Sequence, residues 1–419
     1  MNDIEILTFG CRLNSFESEV IRRNAQNLGL HDVIIFNTCA VTAEAERQVR
    51  QKIRAVAKKN PERKIIVAGC AAQLNPQIFA AMPEVYKVVG NLDKIKPESL
   101  DSNSPKVIVS EIKGNKSKVT LPKLNSIEGK SKAFIQVQQG CNNSCTFCIV
   151  PSLRGNAVSQ TSSEIREQIQ NFLTSGYQEI ILTGVDISAY GVDFSPRQTL
   201  ADLVENILQN ITFPSFRLRL SSLDPAHDYT KLLELFKNDE RLMPHFHFSV
   251  QSGDNEILRL MKRRHKREDV IHWATAIKKI NPYAAIGADI ITGFPSESEE
   301  HFLNSERLLE EAHITHAHVF PFSIRPGTPS ATMSQQVPKE IAKTRAKILI
   351  EKAYQNKLQL GASMINQEVK VLVEKNGFSG YSENYMMVHL DKKMPEGCVI
   401  KAQILSNDEK GLMAKCLEN

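Results

Sequence analysis

The chain has 419 residues, of which 42% are hydrophobic and 24% charged, and its formal net charge is +5. This composition excludes wholesale disorder, and the length exceeds what one hydrophobic core supports, so we expect about three domains. No apolar stretch approaches the ~20 residues of a membrane span, and the first residues lack the pattern of a secretion signal. Eight cysteines in such a chain indicate metal ligation rather than disulfides, and we expect a cytoplasmic protein.

Residues 1–100 alternate between short apolar runs and amphipathic segments. The apolar runs predict strands over residues 4–9, 33–36 and 64–68. Helices are predicted from about Ser15 and over residues 43–59. Strands that alternate with helices indicate a small α/β domain with a parallel sheet.

One cysteine follows the carboxyl end of each predicted strand in this domain: Cys11, Cys39 and Cys70. Because the carboxyl ends of parallel strands meet at one edge of a sheet, we expect the three thiols to converge. A buried thiol is also common as a packing residue, which is the alternative interpretation for each of them. Three equivalent positions favour a shared metal cluster.

Residues 101–131 are rich in Ser, Lys, Asn and Pro, which predicts a linker between domains. A hairpin through residues 106–110 is the one regular element that the pattern favours there.

Three further cysteines, Cys141, Cys145 and Cys148, follow a predicted strand over residues 133–138, with Gly140 at the turn. Soft thiolate ligands select zinc, copper(I) or iron–sulfur clusters. A structural zinc ion normally takes four protein ligands, whereas three cysteines on a [4Fe–4S] cluster leave one iron open. The count therefore favours a catalytic iron–sulfur cluster over a zinc site.

Residues 132–358 repeat a strand followed by a helix. Further strands are predicted over residues 179–185, 216–221, 245–250, 285–293 and 316–322, with helices including 163–174, 200–209 and 299–312. Six such units indicate a partial TIM-like barrel, (β/α)6, with its site at the carboxyl ends of the strands. Polar and glycine residues collect there: Thr183, Gly184, Asp224, Gln251, Ser252, Gly253 and Asp289. Turn formation and helix capping are the alternative explanations for each of them.

Two other polar groups lie in this region. For the histidines we expect packing and hydrogen bonding rather than a further metal site; they are His245, His247, His313, His316 and His318. The basic run of residues 262–267 is either a solvated face or a surface for a polyanion.

Residues 360–419 alternate in short segments separated by turns, which predicts a small antiparallel β-barrel. Phe378, Tyr381 and Tyr385 could stack on nucleic-acid bases or pack within that barrel. We expect Cys398 and Cys416 to be packing residues.

The cysteine loop, with Phe147 before its last cysteine, resembles the signature of radical S-adenosylmethionine (radical SAM) enzymes. The resemblance implies that a [4Fe–4S] cluster on Cys141, Cys145 and Cys148 binds and cleaves S-adenosylmethionine. It also implies cofactor contacts at Phe147 and at the strand-end residues, with Thr183, Gly184 and residues 251–253 favoured over Asp224 and Asp289.

The segments around Cys11 (8–19), Cys39 (37–42) and Cys70 (68–73) resemble the amino-terminal domain of the methylthiotransferase family. That resemblance implies a second, auxiliary [4Fe–4S] cluster on these cysteines. The last 60 residues resemble the TRAM domain, an RNA-binding barrel that many members of the family carry.

Four segments, 37–42, 182–187, 217–222 and 320–329, are similar to the bacterial branch that acts on N6-threonylcarbamoyladenosine at position 37, in the anticodon loop of tRNA. The sister branches act on N6-isopentenyladenosine of tRNA or on an aspartate of a ribosomal protein, and they are the alternatives. A non-enzymatic zinc- or RNA-binding protein is the alternative from a different class. One departure is at Val158 and Gln160, where the family usually carries arginines.

The implied reaction uses two molecules of S-adenosylmethionine. One methylates a sulfur held at the auxiliary cluster, and the other yields a radical that removes hydrogen from C2 of the adenine. An electron donor such as flavodoxin or ferredoxin is also implied, and no membrane partner.

Overall fold

In the computed structural model, which describes residues 4–112, 122–213 and 215–417, the amino-terminal strands form one parallel sheet of five. The strands run in chain order as β1 (Ile4–Thr8), β2 (Val33–Thr38), β3 (Lys64–Gly69), β4 (Val85–Val89) and β5 (Val107–Ile108). The helices between them are α1 (Arg12–Asn27), α2 (Ala43–Lys59), α3 (Cys70–Leu74) and α4 (Pro76–Ala80). Apolar side chains cover both faces of this sheet, which is why β2 is buried along its whole length.

The predicted parallel α/β unit is confirmed, but two of its details are wrong. β5 pairs in parallel with β4, with Val107 opposite Val88, so residues 106–110 add a strand to the sheet and form no hairpin. Helix α1 begins at Arg12 rather than near Ser15, because Cys11 already holds the extended backbone of an N-cap residue. Part of the predicted linker, residues 113–121, lies outside the described residues.

The central region forms six parallel strands in an incomplete barrel, as predicted. They are β6 (Ala133–Gln136), β9 (Glu179–Thr183), β10 (Arg217–Leu220), β11 (His245–Gln251), β12 (Ala285–Thr292) and β13 (Ile314–Pro321). They pair in the orders β10-β9-β6 and β11-β12-β13, and isolated bridges such as Leu223 with Phe248 join β10 to β11. A short antiparallel pair, β7 (Gln138–Gln139) and β8 (Val158–Ser159), flanks the cysteine loop.

Helices surround the strands. They are α5 (Val150–Arg154), α6 (Ser162–Thr174), α7 (Leu200–Asn210), α8 (Thr230–Asn238), α9 (Asn255–Leu260), α10 (Arg267–Ile280), α11 (Glu299–Glu311) and α12 (Lys339–Ser363). Capping boxes begin α6 at Thr161 and α7 at Thr199, and the apolar faces of both helices pack into the core around the barrel.

The barrel is open between β6 and β13, which share no strand pairing among the described residues. The amino-terminal domain spans this opening. Phe16 and Val20 of α1 belong to the hydrophobic core that contains β6, and Glu46 of α2 forms a buried ion pair of 3.1 Å with Arg325, beyond β13. The first sheet therefore sits across the open side of the barrel.

The carboxy-terminal residues form a closed five-stranded barrel, as predicted. Its strands, in the order β14-β15-β16-β18-β17, are β14 (Glu368–Val373), β15 (Ser379–Tyr381), β16 (Met387–Leu390), β17 (Val399–Asp408) and β18 (Gly411–Cys416). The neighbours are antiparallel except β16 and β18, which pair in parallel. Among the described residues, no helix has both the length and the apolar composition to cross a bilayer.

Candidate active site

The loop between β7 and α5 carries Cys141, Cys145 and Cys148. Its backbone is closed by hydrogen bonds from the Cys141 amide to the Gly155 carbonyl (3.0 Å) and from the Cys148 amide to the Cys145 carbonyl (3.1 Å). Gly140 enters the loop at a φ of +67°, and a Cβ there would lie 1.9 Å from the Asn156 carbonyl oxygen. Only glycine fits this turn.

The three thiols of this loop influence one another electrostatically. Burial raises the pKa of Cys141 to about 12, with contributions from Asp186, Cys148 and Cys145. Burial likewise raises the pKa of Cys148 to about 11, and Cys145 adds to that shift. The Cys141 and Cys148 thiols therefore stay protonated unless a soft metal ion binds the sulfur and displaces the proton.

The donor set fits a cluster with three protein ligands. Among the described residues, every other cysteine belongs to the amino-terminal sheet or to the carboxy-terminal barrel. The barrel cysteines behave as predicted for packing residues: Cys416 is buried, and the Cys398 thiol donates to the Pro395 carbonyl at 2.9 Å. Neither region offers this loop a local fourth thiol of the kind that closes a structural zinc site.

The structure brings the second cysteine set to one edge of the amino-terminal sheet. Cys11 caps α1, Cys39 directly follows β2, and Cys70 is the first residue of α3. Burial raises the pKa of Cys39 to about 11, and Cys70 and Cys11 are close enough to add to the shift. A Cβ on Gly10 would lie 2.9 Å from the Cys39 sulfur, so glycine leaves the room that this thiol occupies.

Buried amide and hydroxyl groups hold the strand ends that carry these cysteines. The Asn14 side chain donates to the carbonyls of Phe9 (2.7 Å) and Thr38 (3.1 Å), and the Asn37 side chain donates to the Asn14 carbonyl (2.9 Å). The Thr38 hydroxyl donates to the Ala68 carbonyl at 2.6 Å. These bonds fix the loops after β1, β2 and β3 relative to one another.

Arg154, which was not among the predicted site residues, connects the two cysteine sets. It ends α5, six residues after Cys148, and its guanidinium is buried against α1. It donates to both carboxylate oxygens of Glu17 (2.7 and 2.9 Å) and to the Asn14 side-chain oxygen (2.8 Å). Lys94 donates to the same Glu17 carboxylate at 2.7 Å. The loop of the first set is thus anchored to the helix that begins at the second.

Thr183 and Gly184 end β9 beside the cysteine loop. The Gln138 side-chain oxygen accepts hydrogen bonds from the amides of Val185 (3.1 Å) and Asp186 (2.9 Å). A Cβ on Gly184 would lie 2.7 Å from the Gln138 carbonyl oxygen, so this strand end approaches β7 closely. Both predicted residues lie at the mouth of the barrel.

Asp186 lies beside the cysteine loop, although it was not among the predicted cofactor contacts. One carboxylate oxygen lies 4.0 Å from the Cys141 sulfur and accepts a hydrogen bond from the Asn143 side chain at 3.0 Å. Burial and the neighbouring Asp224 carboxylate raise its pKa. Its position two residues after Gly184, in the same strand-end loop, was the signal available in the sequence.

β11 ends at Gln251, and residues 251–253 differ in exposure. Gln251 is partly exposed and has a φ of +70°. Ser252 is fully buried and its hydroxyl accepts from the Asp254 amide, while the Gly253 amide donates to the Ser305 hydroxyl at 2.9 Å. Gly253 is needed for the close approach of α11, because a Cβ there would meet the Ser305 backbone at 2.5 Å.

Asp224 is held by the basic run rather than left open to a ligand. Its carboxylate accepts from Arg263 (3.1 Å) and Arg264 (2.9 Å). The Arg263 side chain is only 7% exposed, and it also lies 3.6 Å from the Cys145 sulfur and 2.8 Å from the Ser249 carbonyl oxygen. The expectation of one solvated or docking face over residues 262–267 is therefore wrong for Arg263, which belongs to the cysteine site.

Asp289 lies inside the barrel, in the middle of β12. Its carboxylate contacts the ring nitrogens of His247 (3.0 Å) and His318 (3.2 Å) and the Ser222 hydroxyl (3.3 Å). The expected hydrogen bonding of these histidines agrees with the contacts. Phe147 is half-buried and packs edge-on against Phe294, with ring centroids 6.5 Å apart.

The two departures from the family pattern lie at the strand that closes the cysteine loop. Val158 is in β8, and the Gln160 amide donates to the Val137 carbonyl at 2.9 Å. Gln160 is buried, and its carbonyl accepts from the Tyr190 hydroxyl at 2.8 Å.

Residues 135–309 match the radical SAM superfamily, and residues 3–90 match an uncharacterized protein family, UPF0004. The threonylcarbamoyladenosine tRNA methylthiotransferase MtaB of Rickettsia prowazekii is 45% identical over 414 residues, which are 99% of this chain and 97% of that protein. The chain belongs to the tRNA methylthiotransferase family.

Other relatives place it within that family. A tRNA-2-methylthio-N(6)-dimethylallyladenosine synthase of Corynebacterium diphtheriae is 32% identical, over 94% of this chain and 81% of that protein. Among solved structures, the radical S-adenosylmethionine methyltransferase TsrM from Kitasatospora setae aligns with a TM-score of 0.55 at 11% identity, over 79% of this chain and 74% of that one. That structural likeness supports the fold alone, and the methylthiotransferase resemblance of the sequence is confirmed.

Proposed function

We propose that this methylthiotransferase adds a methylthio group to C2 of N6-threonylcarbamoyladenosine at position 37 of tRNA. The observation that carries the proposal is the pair of three-thiol sets on neighbouring loops, joined by the buried contact of Arg154 with Glu17 and Asn14. The relatives named for threonylcarbamoyladenosine, such as the protein at 45% identity, support this substrate over the dimethylallyl one at 32%.

Each cysteine set fits one [4Fe–4S] cluster. Cys141, Cys145 and Cys148 supply three thiolates from one loop, and Cys11, Cys39 and Cys70 supply three from one sheet edge. With S-adenosylmethionine, such clusters supply a carbon-centred radical for hydrogen removal and a site for the sulfur that is transferred.

Several residues around the first loop would hold S-adenosylmethionine. Phe147 lies within the loop, Thr183 and Gly184 are at the end of β9, and Gln251 is at the end of β11. Asp186 faces the first cysteine of the loop. The buried Asp186 carboxylate, beside Asp224, is a suitable partner for the cationic amine of S-adenosylmethionine. A positive charge nearby favours the ionised form of a carboxylate. Four further residues would shape the cofactor site through the contacts described above: Asp224, Ser252, Gly253 and Asp289.

The protein itself contributes position. Arg154, Glu17 and Lys94 fix the two loops relative to each other, and the hydrogen bonds of Asn14 and Asn37 fix the second cysteine set. An inert C2–H bond reacts only with a radical generated next to it, so the adenine and the radical source must be held together.

The anticodon loop of tRNA would reach this site from the side on which the exposed lysines of the basic run lie. Lys262 and Lys266 are exposed, as is Phe378 of the carboxy-terminal barrel, at 51%. We assign phosphate contact to the lysines and base stacking to Phe378. Flavodoxin or ferredoxin as the electron donor, and the cytoplasm as the location, belong to the same proposal.

The test is a reconstitution without oxygen. Purified protein, iron, sulfide, S-adenosylmethionine and a reductant are incubated with stem-loop RNAs that carry N6-threonylcarbamoyladenosine or N6-dimethylallyladenosine at position 37. Mass spectrometry of the nucleosides should show the methylthio product on the first RNA. Product only on the second RNA supports the sister activity, and zinc in place of iron with no product supports a non-enzymatic protein.

Cys11→Ala separates the two halves of the reaction. This variant should still cleave S-adenosylmethionine to 5′-deoxyadenosine, since the ligands of the first set share one loop, yet it should form no methylthio product. If this variant forms the methylthio product, the amino-terminal cysteines are not needed for the reaction.

A further inference from the structure

The interior of the barrel is polar and contains an unsatisfied group. His245 lies on β11 with its ring 5.0 Å from that of Tyr385, and it is 3% exposed. Its Nδ1 atom has no hydrogen-bond partner among the residues that the structure describes. Buried polar atoms in native proteins are nearly always paired, so an unpaired one in the barrel interior points to a missing ligand. We call the interior side chains of β11, β12 and β13, together with Tyr385, the chamber.

Arg12 brings an unpaired cation to the same chamber. It is the first residue of α1, directly after Cys11, and its guanidinium lies 5.6 Å from the centre of the Tyr385 ring. Burial lowers the pKa of His245 well below its usual value, and Arg219 and Arg12 are among the charges that add to this shift. Arg12 therefore reaches from the amino-terminal domain into the barrel.

Other cations of this interior have carboxylate partners. Arg219 pairs with Glu179 at 3.1 Å, and Lys132 pairs with Glu374 at 2.9 Å. Arg12 has no ion pair within the described parts of the chain. A half-buried guanidinium without an anion is a strong binding site for a carboxylate ligand. Two N–H donors of the guanidinium match the two carboxylate oxygens.

The open side of the barrel supplies further hydrogen-bonding groups. The rings of His247 and His318 are 4.9 Å apart, and both contact the Asp289 carboxylate. The His318 side chain is 61% exposed, on the edge strand β13 that borders the opening. The chamber thus has a cation at the amino-terminal domain and donors and acceptors along β11, β12 and β13.

The two adenosine substrates of the family differ in what they offer such a chamber. The threonylcarbamoyl group carries a carboxylate, a hydroxyl and urea N–H groups, whereas the dimethylallyl group is a hydrocarbon. A desolvated cation rejects a hydrocarbon because the charge would stay unpaired. The polar chamber matches the first group.

We propose that Arg12 binds the carboxylate of the threonyl group and thereby selects the modified adenosine that this enzyme accepts. The inference rests on the proposed function and adds to it the residue that recognises the threonylcarbamoyl group. Arg12 acts in binding, and the group of His247, Asp289 and His318 faces the rest of the substituent.

The experiment measures RNA binding by fluorescence anisotropy with three stem-loops that differ only at position 37. They carry N6-threonylcarbamoyladenosine, N6-dimethylallyladenosine or unmodified adenosine. Arg12→Gln should weaken binding of the first by about 10- to 100-fold, the range for loss of a charge-assisted hydrogen bond, and leave binding of the unmodified RNA unchanged. Arg12→Lys, which keeps the charge, should recover part of the preference.

Arg23→Gln is the matched control, since Arg23 is exposed on the same helix and loses the same charge. It should bind all three RNAs as the parent does. Iron content is measured for every variant, because Arg12 adjoins Cys11, and the ratio of affinities within one preparation does not depend on the amount of active protein.

Three outcomes overturn the inference. They are an unchanged preference in Arg12→Gln, an equal loss on all three RNAs, which indicates a phosphate contact, and an Arg12→Lys variant no better than Arg12→Gln. Failure of the proposed function is seen separately, as a parent protein that forms no methylthio product on the threonylcarbamoyl RNA. A parent that forms this product alongside an unchanged Arg12→Gln overturns the inference alone.

Discussion

The single carboxylate of Glu17 forms ion pairs with two buried cations from different parts of the chain. Arg154 comes from the helix after the cysteine loop, and Lys94 follows β4. Although burial alone would raise the pKa of Glu17, Arg154 and Lys94 hold it at about 2, below the ordinary 4.5. Removing the carboxylate would leave both cations buried without an anion, which is far less favourable than losing an exposed ion pair.

We expect Glu17→Gln to lower the free energy of unfolding by about 3–5 kcal/mol, the range for breaking one side of a buried pair. Glu44→Gln is the matched control, since Glu44 pairs with Arg47 on a neighbouring helix but both side chains are about half exposed. That control should lose far less stability, because solvent screens an exposed ion pair. Denaturant unfolding of both variants at pH 7 measures the difference, and equal losses would contradict the buried role.

The pairing of Glu17 with Arg154 and Lys94 also predicts that the stability of the protein depends on pH. The pKa of Glu17 is about 2 in the folded protein and 4.5 ordinarily, so the unfolded chain binds more protons between these values. Its contribution to stability is complete above pH 4.5 and is lost as the pH falls toward 2. The difference in unfolding free energy between parent and Glu17→Gln should therefore shrink across that window, and a constant difference would show that Glu17 does not titrate as described.

Arg263 lies in an environment that the sequence did not predict. Its guanidinium contacts the Cys145 sulfur, Asp224 and the Ser249 carbonyl. We expect Arg263→Ala to reduce iron bound by the first cysteine set and to slow cleavage of S-adenosylmethionine by about tenfold or more, as loss of a residue that supports a metal ligand does. The exposed neighbour Lys262, changed to Ala, should affect neither in the absence of RNA. Normal iron and cleavage in Arg263→Ala would contradict this role.

At the scale of elements, local patterns in the sequence predicted most of what the structure shows. The six barrel strands and the cysteine loop follow from apolar runs and from spacing within a few residues. β5 was expected within a hairpin of residues 106–110, because a two-residue strand gives no information about its partner, and its actual place depends on pairing with Val88. The burial of Arg263 within a basic run was also out of reach, because the contacts with Cys145 and Asp224 join residues far apart in the chain.

The loop of the first cysteine set and the edge that carries the second are separate elements, so each should assemble its own cluster. Replacing Cys141, Cys145 and Cys148 together by Ala should leave about half the iron of the parent, since two clusters of one kind are expected. Iron analysis with electron paramagnetic resonance of the reduced protein measures this. Complete loss of iron would show that the amino-terminal set is not an independent cluster.

At the scale of the whole molecule, the carboxy-terminal barrel is built into the floor of the central one. Arg217 donates to the carbonyls of Tyr381 (3.2 Å) and Ser382 (2.7 Å), and Arg219 donates to the carbonyl of Glu383 (2.9 Å). The rings of Tyr381 and Tyr385 stack at 4.6 Å, beneath Lys132. These aromatic residues are therefore packing residues of an internal junction, and Phe378 is the one of the three predicted that stays exposed.

This junction predicts that the carboxy-terminal barrel cannot be removed without consequence. Although every proposed cluster ligand lies upstream, deletion of the residues after Ser363 would leave Arg217, Arg219 and His245 without the groups that cover them. Each buried donor left unsatisfied costs about 1–3 kcal/mol, so the truncated protein should unfold at a lower denaturant concentration and bind less iron.

Phe378→Ala is the control, since it changes an exposed side chain of the same barrel. It should weaken RNA binding and leave stability and iron content unchanged. A truncated protein as stable as the parent would show instead that the barrel is an independent appendage.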